Sequence, residues 1–408
     1  MADDGLTRTA ALSQAAVPTE AAQPAVDAMH DGALEDTHKA LDDVTSAAAD
    51  HEQTPQEHLH KPADHKASTS WICRFLPSTE YVRSMESSYH LGNWVRDRHT
   101  NEKSWEAMSI YVRLGMHLLY YGTYQESLLA TKRVINMLTA QTVKMGAQYD
   151  DPASKAHIVP FIQSFGLQDS LHELLEPDPK KYETFNHFFG RRLKDEARPI
   201  AEPENEHVTS SPADCRLTAF PDITTATEFW VKGADFTMER LFQDAQLAER
   251  FDGGSMVIAR LAPQDYHRWH SPIDGTVVSV KDIPGAYYTV NPQAINEPGI
   301  LNVYCQNRRS VMLVERSPDK VPVAIVAVGA MLVGSIKYFD GCEQPGAVIK
   351  RGQCLGGFFY GGSTVLVFYP RRGVVLDNDL VRWSTDPHGP CETYVQVGWR
   401  IGTSRKTH

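Results

Sequence analysis

The sequence predicts an α+β protein: a helical N-terminal segment on a β-rich core of antiparallel or mixed sheet, preceded by a disordered tail. Three changes in composition along the 408 residues predict this order. Residues 1–70 are rich in Ala, His, Gln, Thr, Pro and acidic side chains and have almost no aromatic residues. Residues 71–203 carry apolar side chains at mixed three- and four-residue spacing. From residue 204 onward, short apolar runs alternate with Gly, Pro and Asp turns.

The tail holds most of the net charge of −11. Residues 1–70 contain 13 acidic and 4 basic side chains, whereas the remainder contains 38 acidic and 36 basic. Such a tail cannot bury enough apolar surface to offset its ordering entropy, so we predict that it is disordered. Its six histidines are irregularly spaced, which disfavours a metal site. The nearly neutral remainder gives no electrostatic reason to expect nucleic-acid binding.

The helical segment, residues 71–203, contains an apolar and aromatic stretch over residues 108–122. Ile110, Leu114 and Leu118 recur at helical spacing. The stretch is too short to span a bilayer, and neither an 18-residue apolar run nor a secretory signal is visible. Periodicity alone favours a core-facing helix, while an interfacial helix over residues 108–145 is the alternative. In that alternative, basic side chains assist membrane docking, namely Arg191, Arg192 and Lys194.

The β-rich part, residues 204–362 with its continuation in 363–408, contains strand-like runs with hairpin-length connections. Examples are "GSMVIARL", "GTVVSV", "PVAIVAVGAMLVGSI" and "STVLVFYP". The six cysteines form no C-x-x-C pair, so reduced thiols in a cytosol-facing compartment are expected.

Three short motifs in this part bring together an acid, two imidazoles and a hydroxyl. Asp214 lies in "SPAD", His267 and His270 lie in "DYHRWHSPIDG", and Ser363 lies in "GGST". An acid that orients an imidazole, and an imidazole that removes a serine proton, together activate a nucleophile. Each motif alone has a plainer interpretation. Asp214 could cap a turn, and the histidines could pack in the core or bind a metal, although no third ligand has a recognised spacing.

The environment of Ser363 favours chemistry on the chain itself over hydrolysis. A hydrolase serine commonly lies in G-x-S-x-G, whereas here the final glycine is missing and Ser363 opens an apolar strand. The Ser363 hydroxyl could instead attack the carbonyl of Gly362, where glycines permit unusual backbone geometry. An N-to-O acyl shift, elimination to dehydroalanine and hydrolysis would then cut the chain and leave a pyruvoyl group on residue 363.

At this point the sequence resembles the phosphatidylserine decarboxylases, which are pyruvoyl-dependent and self-cleaving, and particularly the fungal-type branch with a "GGST" site. The resemblance spans roughly Ser104 to Gly402. Its motifs, in order, are "IYVRLGMHLLYYG", "YDDPAS", "FNHFFGRRLKDEARPI", "SPAD", "DYHRWHSPIDGTV", "VGAMLVGSI", "GGSTVLVF" and "ETYVQVGWRIG". Many members of that branch carry a calcium- and lipid-binding C2 module where this sequence has the acidic tail.

The resemblance implies a role for each candidate site residue. Asp214 matches the acid of the self-processing triad, His270 its base, and Ser363 the residue that becomes the covalent pyruvoyl cofactor. His267 matches the histidine that assists decarboxylation or reprotonation. The implied cut is between Gly362 and Ser363, and no metal is implied.

The resemblance also implies partners and a location. The cut leaves a large β chain, residues 1–362, and a small α chain, residues 363–408, which stay together as a heterodimer, with a homodimer of these left open. The implied substrate is phosphatidylserine in a membrane surface. The pyruvoyl ketone forms a Schiff base with its amine, and the reaction, that of a carboxy-lyase, releases CO₂ and phosphatidylethanolamine. Such an enzyme would be peripheral on the cytosolic face of an endomembrane.

Four alternatives stay open from the sequence. A relative with the same cofactor could decarboxylate a free aromatic amino acid such as tryptophan. A serine hydrolase could use Asp214, His270 and Ser363 in an intact chain. A non-catalytic lipid-binding scaffold would release no CO₂. Pyridoxal phosphate on Lys337 is disfavoured, because no phosphate-cradling glycine loop follows a strand.

Overall fold

A computed structural model describes residues 92–107, 146–229, 236–286, 303–330, 335–359 and 363–404. The predicted disordered tail and the predicted docking surface, residues 108–145, lie outside these ranges, as does Gly362 of the predicted cut. Within the ranges, the predicted α+β fold with a β-rich core is confirmed, because strands of one large mixed sheet dominate and the helices are short.

The main sheet has ten strands in the order β11-β7-β8-β9-β13-β5-β4-β15-β1-β2. All neighbouring pairs are antiparallel except β1 and β15, which are parallel. The strand bounds are β1 Gly92–Asp97, β2 Lys103–Ala107, β4 Cys215–Phe220, β5 Ser255–Leu261, β7 Gly275–Ile283, β8 Arg309–Arg316, β9 Pro322–Gly329, β11 Val348–Ile349, β13 Ser363–Tyr369 and β15 Glu392–Val395.

Two three-stranded sheets complete the β structure, with the orders β10-β12-β6 and β14-β16-β3. Their bounds are β3 Val208–Ser210, β6 Arg268–His270, β10 Ser335–Tyr338, β12 Cys354–Phe359, β14 Val375–Leu376 and β16 Arg400–Thr403.

The α-helices in the described ranges are short, with four to eight residues each. Their bounds are α1 Ile158–Phe165, α2 Phe185–Phe189, α3 Ile223–Phe229, α4 Met238–Phe242, α5 Ala245–Glu249, α6 Val303–Gln306 and α7 Asn378–Ser384. Four 3₁₀ turns cover Pro152–His157, Gln168–Glu173, Pro179–Lys181 and Asp195–Ala197. Helix α1 ends where Gly166 takes the left-handed conformation (φ +64°), which glycine adopts without a Cβ clash.

Strand β13 lies at the centre of the main sheet, between β9 and β5, and all seven of its residues are buried. Successive side chains of a strand point to opposite faces. Leu366 and Phe368 accordingly join one core with α3, α4 and α6. Val365 and Val367 join a second core on the other face, to which β12 and β16 also contribute. By the same alternation, the side chain of Ser363 belongs to this second face.

A third apolar cluster joins α1, α2 and the turns around them. Its buried side chains are largely aromatic, and Phe161 packs edge-on against Phe185 and Phe188. Thr184 caps α2 by accepting a hydrogen bond from the backbone N–H of His187 at 3.0 Å. This cluster holds the C-terminal end of α2 beside the second core.

The helical prediction for residues 71–203 is wrong for residues 92–107, which form the β1–β2 hairpin. The Asp97 carboxylate accepts hydrogen bonds from the backbone N–H groups of His99 and Thr100, both at 2.8 Å, which builds a tight turn between the strands. The parallel partner of β1 is β15, almost 300 residues later in the sequence. Local periodicity cannot show the pairing of β1 with β15, because the two strands are so distant in the sequence.

Across the described ranges, no helix combines the length and apolar character that crossing a bilayer requires. The five cysteines in these ranges are free thiols, namely Cys215, Cys305, Cys342, Cys354 and Cys391.

Candidate active site

Ser363 is the first residue of β13 and is completely buried. It pairs with Gly329 of β9 on one side and with Leu261 of β5 on the other. The hydroxyl of the predicted self-modifying serine therefore lies at the head of the central strand, shielded from bulk water. The predicted apolar strand beginning at Ser363 is confirmed.

His267 is the residue that contacts this hydroxyl. Its Nδ1 lies 3.3 Å from the Oγ of Ser363. Its Nε2 faces two backbone carbonyl oxygens, of Ala262 at 3.0 Å and of Pro263 at 3.3 Å. Because carbonyl oxygens only accept hydrogen bonds, Nε2 carries the ring proton. Nδ1 is then unprotonated and presents its lone pair to the serine hydroxyl.

The packing around His267 keeps its imidazole neutral. The ring is completely buried, and Phe189 of α2 stacks on it with the ring centroids 4.1 Å apart. Burial, and then the positive charge of Arg191, lower the pKa of His267 to about 3. At neutral pH the side chain is therefore an uncharged and weakly basic imidazole.

His270, the other predicted histidine, lies at the end of β6 with different partners. Its Nδ1 donates to the carbonyl oxygen of Gly352 at 2.7 Å, and its Nε2 lies 3.2 Å from the hydroxyl of Tyr266. Burial lowers the pKa of His270 as well. Neither ring nitrogen is hydrogen-bonded to Ser363 in this structure.

Asp214, the predicted orienting acid, is bound by Arg198 and by a backbone N–H group. The Nε of Arg198 donates to both carboxylate oxygens at 3.0 Å, and its Nη2 donates at 2.6 Å. The N–H of Val397 donates at 2.8 Å. No hydrogen bond joins Asp214 to His270, although the negative charge of Asp214 favours the protonated form of that histidine. The structure thus joins His267 to Ser363 directly and keeps Asp214 and His270 close to each other without a direct bond.

An ion network that the sequence analysis missed holds the loop before His267. The carboxylate of Asp265 pairs with Arg216 and accepts a hydrogen bond from the N–H of Ala262 at 2.7 Å. Burial raises the pKa of Asp265 to about 6, although the charge of Arg216 opposes this shift. Arg216 also pairs with Glu106 of the β1–β2 hairpin. The hairpin thereby reaches the loop whose carbonyl groups fix the tautomer of His267.

The structure gives no support to two other sites considered from the sequence, a pyridoxal phosphate site on Lys337 and a metal site. Lys337 is exposed, with its Nζ 4.5 Å above the ring of Phe359, whereas a lysine that binds a cofactor covalently is activated by desolvation. In the parts of the chain that the structure describes, no three His, Cys, Asp or Glu side chains converge in a way that could hold a metal ion.

The burial of His267 predicts that acid destabilises the uncut protein. An unfolded histidine titrates near 6.5 and folded His267 near 3. Between these values the unfolded state binds more protons, so stability is lost as the pH falls through this window. We expect Ser363→Ala protein to lose roughly 2 kcal/mol of unfolding free energy from pH 7 to pH 5, relative to the double variant that also carries His267→Gln. Urea unfolding at both pH values measures this difference, and parallel pH profiles would contradict it.

Comparison with known proteins places these motifs in one family. A family model described as phosphatidylserine decarboxylase matches residues 185–403. The chain is 40% identical over 337 residues to phosphatidylserine decarboxylase proenzyme 3 of Schizosaccharomyces pombe, covering 83% of this chain and 34% of that protein. It is 36% identical over 338 residues to phosphatidylserine decarboxylase proenzyme 2 of Saccharomyces cerevisiae, covering 82% and 28%.

A bacterial relative is matched over most of its own length. The chain is 34% identical over 262 residues to the phosphatidylserine decarboxylase proenzyme of Fusobacterium nucleatum, covering 64% of this chain and 82% of that protein. By contrast, the chain spans only about a third of the length of the fungal relatives. The residues matched by the family model, 185–403, contain the motifs around Asp214, His267, His270 and Ser363.

Proposed function

We propose that this chain, which belongs to the phosphatidylserine decarboxylase family, is a proenzyme that cuts itself between Gly362 and Ser363 and then converts phosphatidylserine into phosphatidylethanolamine and CO₂. The observation that carries the proposal is the buried hydroxyl of Ser363 at the head of the central strand, with the Nδ1 of His267 at 3.3 Å. A hydroxyl that is shielded from bulk water suits attack on the neighbouring peptide bond better than attack on an external ester.

The cut itself balances with one water consumed and one ammonia released. The Oγ of Ser363 bonds to the carbonyl carbon of Gly362 as the peptide C–N bond breaks, which gives an ester. Removal of the Cα proton of residue 363 then breaks the Cβ–Oγ bond and leaves the carboxylate on Gly362. The resulting dehydroalanine tautomerises to an imine, water adds to the imine carbon, and ammonia leaves. When formed, the pyruvoyl ketone accepts electrons from the α-carbon of the substrate.

We assign removal of the Ser363 hydroxyl proton to His270, and a role in the decarboxylation step to His267, as the family resemblance implies. Base strength counts against His267 as that base, because a good general base has a pKa near the working pH and the pKa of His267 is only about 3. Burial lowers the pKa of His270 as well. The contacts alone would favour His267, since His270 must leave the Tyr266 hydroxyl to reach residue 363.

His267 is placed to act on whatever is bonded to residue 363. The loop carbonyls hold its Nε2, and Phe189 fixes the plane of its ring. A substrate carboxylate or phosphate nearby would raise its pKa, because a negative charge favours the imidazolium. His267 can then supply the proton that replaces CO₂ on the α-carbon.

The position of the cut supports a heterodimer of the two cleaved chains. The α chain, residues 363–408, would keep β13 between β9 and β5 of the β chain. It would also keep the N–H of Val397 on the Asp214 carboxylate at 2.8 Å. Both chains therefore contribute to one site, and the buried central strand is expected to hold them together. We place this enzyme on the cytosolic face of an endomembrane, as a peripheral protein, because its substrate is a bilayer lipid.

Measurement of CO₂ release tests the substrate. Purified cleaved protein is expected to release ¹⁴CO₂ from carboxyl-labelled phosphatidylserine in mixed micelles and to release none above background from carboxyl-labelled tryptophan. Release from tryptophan alone would overturn the proposal in favour of the free amino-acid decarboxylase. Release from neither substrate by a correctly cleaved protein would reject both activities.

A further inference from the structure

The guanidinium group of Arg191 is a buried cation with an unused hydrogen-bond donor. The residue is only 6% exposed. Its Nη2 donates to the carbonyl oxygens of Gln264 at 3.1 Å and Asp265 at 3.0 Å. Its Nη1 is buried and has no hydrogen-bond partner among the described residues. The sequence-based assignment of Arg191 to a membrane-facing basic patch is therefore wrong, whereas the neighbouring Arg192 is exposed.

The carboxylates whose negative charges act on Arg191, those of Asp265 and Asp214, are bound by other groups. The carboxylate of Asp265 pairs with Arg216 and the N–H of Ala262, and that of Asp214 pairs with Arg198. No carboxylate in the described ranges forms an ion pair with Arg191. A buried charge without a counterion is costly, and an unused buried donor adds to that cost.

Another buried arginine shows why the unused donor matters. Arg309 also lacks a carboxylate partner in the described ranges, yet its Nε, Nη1 and Nη2 each donate to a backbone carbonyl oxygen. Arg309 is thus a structural side chain with its donors satisfied. In Arg191, Nη2 is held by two backbone carbonyl oxygens, while Nη1 has no hydrogen-bond partner among the described residues. This is the arrangement expected of a side chain whose remaining donor binds a ligand.

Arg191 lies beside the candidate active site. Its anchored side holds the loop that leads to His267, and Phe189, two residues before it, stacks on the His267 ring. The ring of Phe188 packs under the guanidinium, with Cζ 5.2 Å from the ring centroid. Its charge also lowers the pKa of His267, after burial. An anion bound at Nη1 would therefore lie close to the imidazole that contacts residue 363.

We propose that Arg191 is a substrate-binding residue whose Nη1 donates to an anionic oxygen of the phosphoserine headgroup. This inference rests on the proposed decarboxylase function. The headgroup offers two sources of such an oxygen, the serine carboxylate and the phosphodiester, and a guanidinium recognises either through charge-assisted hydrogen bonds. Arg191 thus brings the headgroup to His267, and the bound anion supplies the counterion that the buried cation lacks.

Kinetics of two Arg191 variants and one matched control test this role. Arg191→Gln removes the charge, Arg191→Lys keeps it without the planar fork, and Arg192→Gln removes an exposed neighbouring charge. Each protein is first checked for folding by circular dichroism and for cleavage on a denaturing gel. We expect kcat/KM for soluble dihexanoyl phosphatidylserine to fall roughly 10- to 100-fold in Arg191→Gln and less in Arg191→Lys. Arg192→Gln should stay within about twofold of the unmodified protein on this substrate, because membrane docking plays no part in its binding.

A product-inhibition arm distinguishes the two sources of the anion. Phosphatidylethanolamine keeps the phosphodiester and lacks the carboxylate. If Nη1 binds the phosphodiester, inhibition by phosphatidylethanolamine should weaken in Arg191→Gln by about the same factor as the substrate KM rises. If Nη1 binds the carboxylate, product inhibition should be unchanged while KM rises. Either pattern supports the proposal.

Lipid binding can also be measured in an inactive variant, so that this test of Arg191 does not depend on enzyme activity. Soluble dihexanoyl phosphatidylserine should raise the melting temperature of Ser363→Ala protein and of its Arg192→Gln derivative, and this increase should be lost in the Arg191→Gln derivative. If Arg191→Gln fails to fold, the Arg191→Lys protein serves for both readouts.

Three results would overturn the role of Arg191. The first is unchanged kcat/KM and unchanged stabilisation by the lipid in a folded Arg191 variant. The second is a folded Arg191→Gln protein that does not cleave, which would assign Arg191 to maturation instead. The third is a loss of kcat with KM, product inhibition and lipid binding all unchanged. Absence of CO₂ release by the unmodified cleaved protein would instead reject the decarboxylase function.

Discussion

Replacement of Ser363 by Ala is expected to leave a single uncut chain of 408 residues and to abolish CO₂ release. The variant removes the hydroxyl that the structure buries at the head of β13, 3.3 Å from the Nδ1 of His267. Without that oxygen no ester can form at residue 362 and no pyruvoyl group can arise at residue 363. The loss should be complete, because no other group supplies the electron sink. A denaturing gel of freshly expressed protein, with a CO₂ assay of the same sample, measures both effects.

Thr364→Val is the matched control for Ser363→Ala. Thr364 is the next residue of β13 and is equally buried, but its hydroxyl has no hydrogen-bond partner among the described residues. Replacing an unsatisfied buried hydroxyl with a methyl group of the same shape should be nearly neutral or slightly stabilising. Thr364→Val protein should therefore cleave and turn over normally. Cleavage of Ser363→Ala, or its failure in both variants, would contradict a specific role for the Ser363 hydroxyl.

Exchange of the two histidines for Asn is expected to separate self-cleavage from decarboxylation. His270→Asn should remain uncut, because the assigned base is missing. His267→Asn should cleave but lose about 10²- to 10⁴-fold in kcat, which is the usual contribution of a positioned acid–base group. His388→Asn changes an exposed histidine and should neither prevent cleavage nor lower kcat. The time course of cleavage on denaturing gels and the kcat of any cleaved product distinguish the variants.

The opposite result for the histidines has a definite meaning. If His267→Asn stays uncut and His270→Asn cleaves, the 3.3 Å contact seen in the structure is the productive one, and the base-strength argument against His267 is wrong. Normal turnover by cleaved His267→Asn protein would remove His267 from the decarboxylation step altogether.

Much of the core could be predicted from the sequence because its strands are fully buried and locally consistent. The runs that became β9 and β13 are continuous and rich in β-branched residues, bounded by Gly and Pro, as expected for central strands. The strand beginning at Ser363 followed from the same pattern. The β1–β2 hairpin could not be predicted in this way, because β15, its partner in the main sheet, lies almost 300 residues later.

The members of the candidate site were visible in the sequence, whereas their contacts were not. His267 and His270 are three residues apart, and only the fold decides that His267 reaches a serine 96 positions later. Arg191 and Arg192 are adjacent and chemically identical, yet one is buried beside the loop of His267 and the other is exposed. Periodicity does not distinguish them, because the chain is irregular after α2 ends at Phe189.

The ion network is a further case in which distant residues meet. Arg216, Asp265 and Glu106 come from β4, a loop and the hairpin, and none of them belongs to a motif that suggests the other two. In the sequence, Asp265 is only the first residue of the motif "DYHRWHSPIDG". Its role in holding the loop depends on the N–H of Ala262, three residues earlier, at 2.7 Å.

Intact mass spectrometry of the purified protein under denaturing conditions tests self-cleavage most directly. We predict two polypeptides, residues 1–362 with a free carboxylate and residues 363–408 with an N-terminal pyruvoyl group in place of serine. Borohydride in deuterated form should add to the ketone of the smaller chain and shift its mass, while native chromatography of untreated protein should show both chains together. A single full-length polypeptide with an unmodified serine at position 363, in a sample that fully decarboxylates phosphatidylserine, would contradict the account.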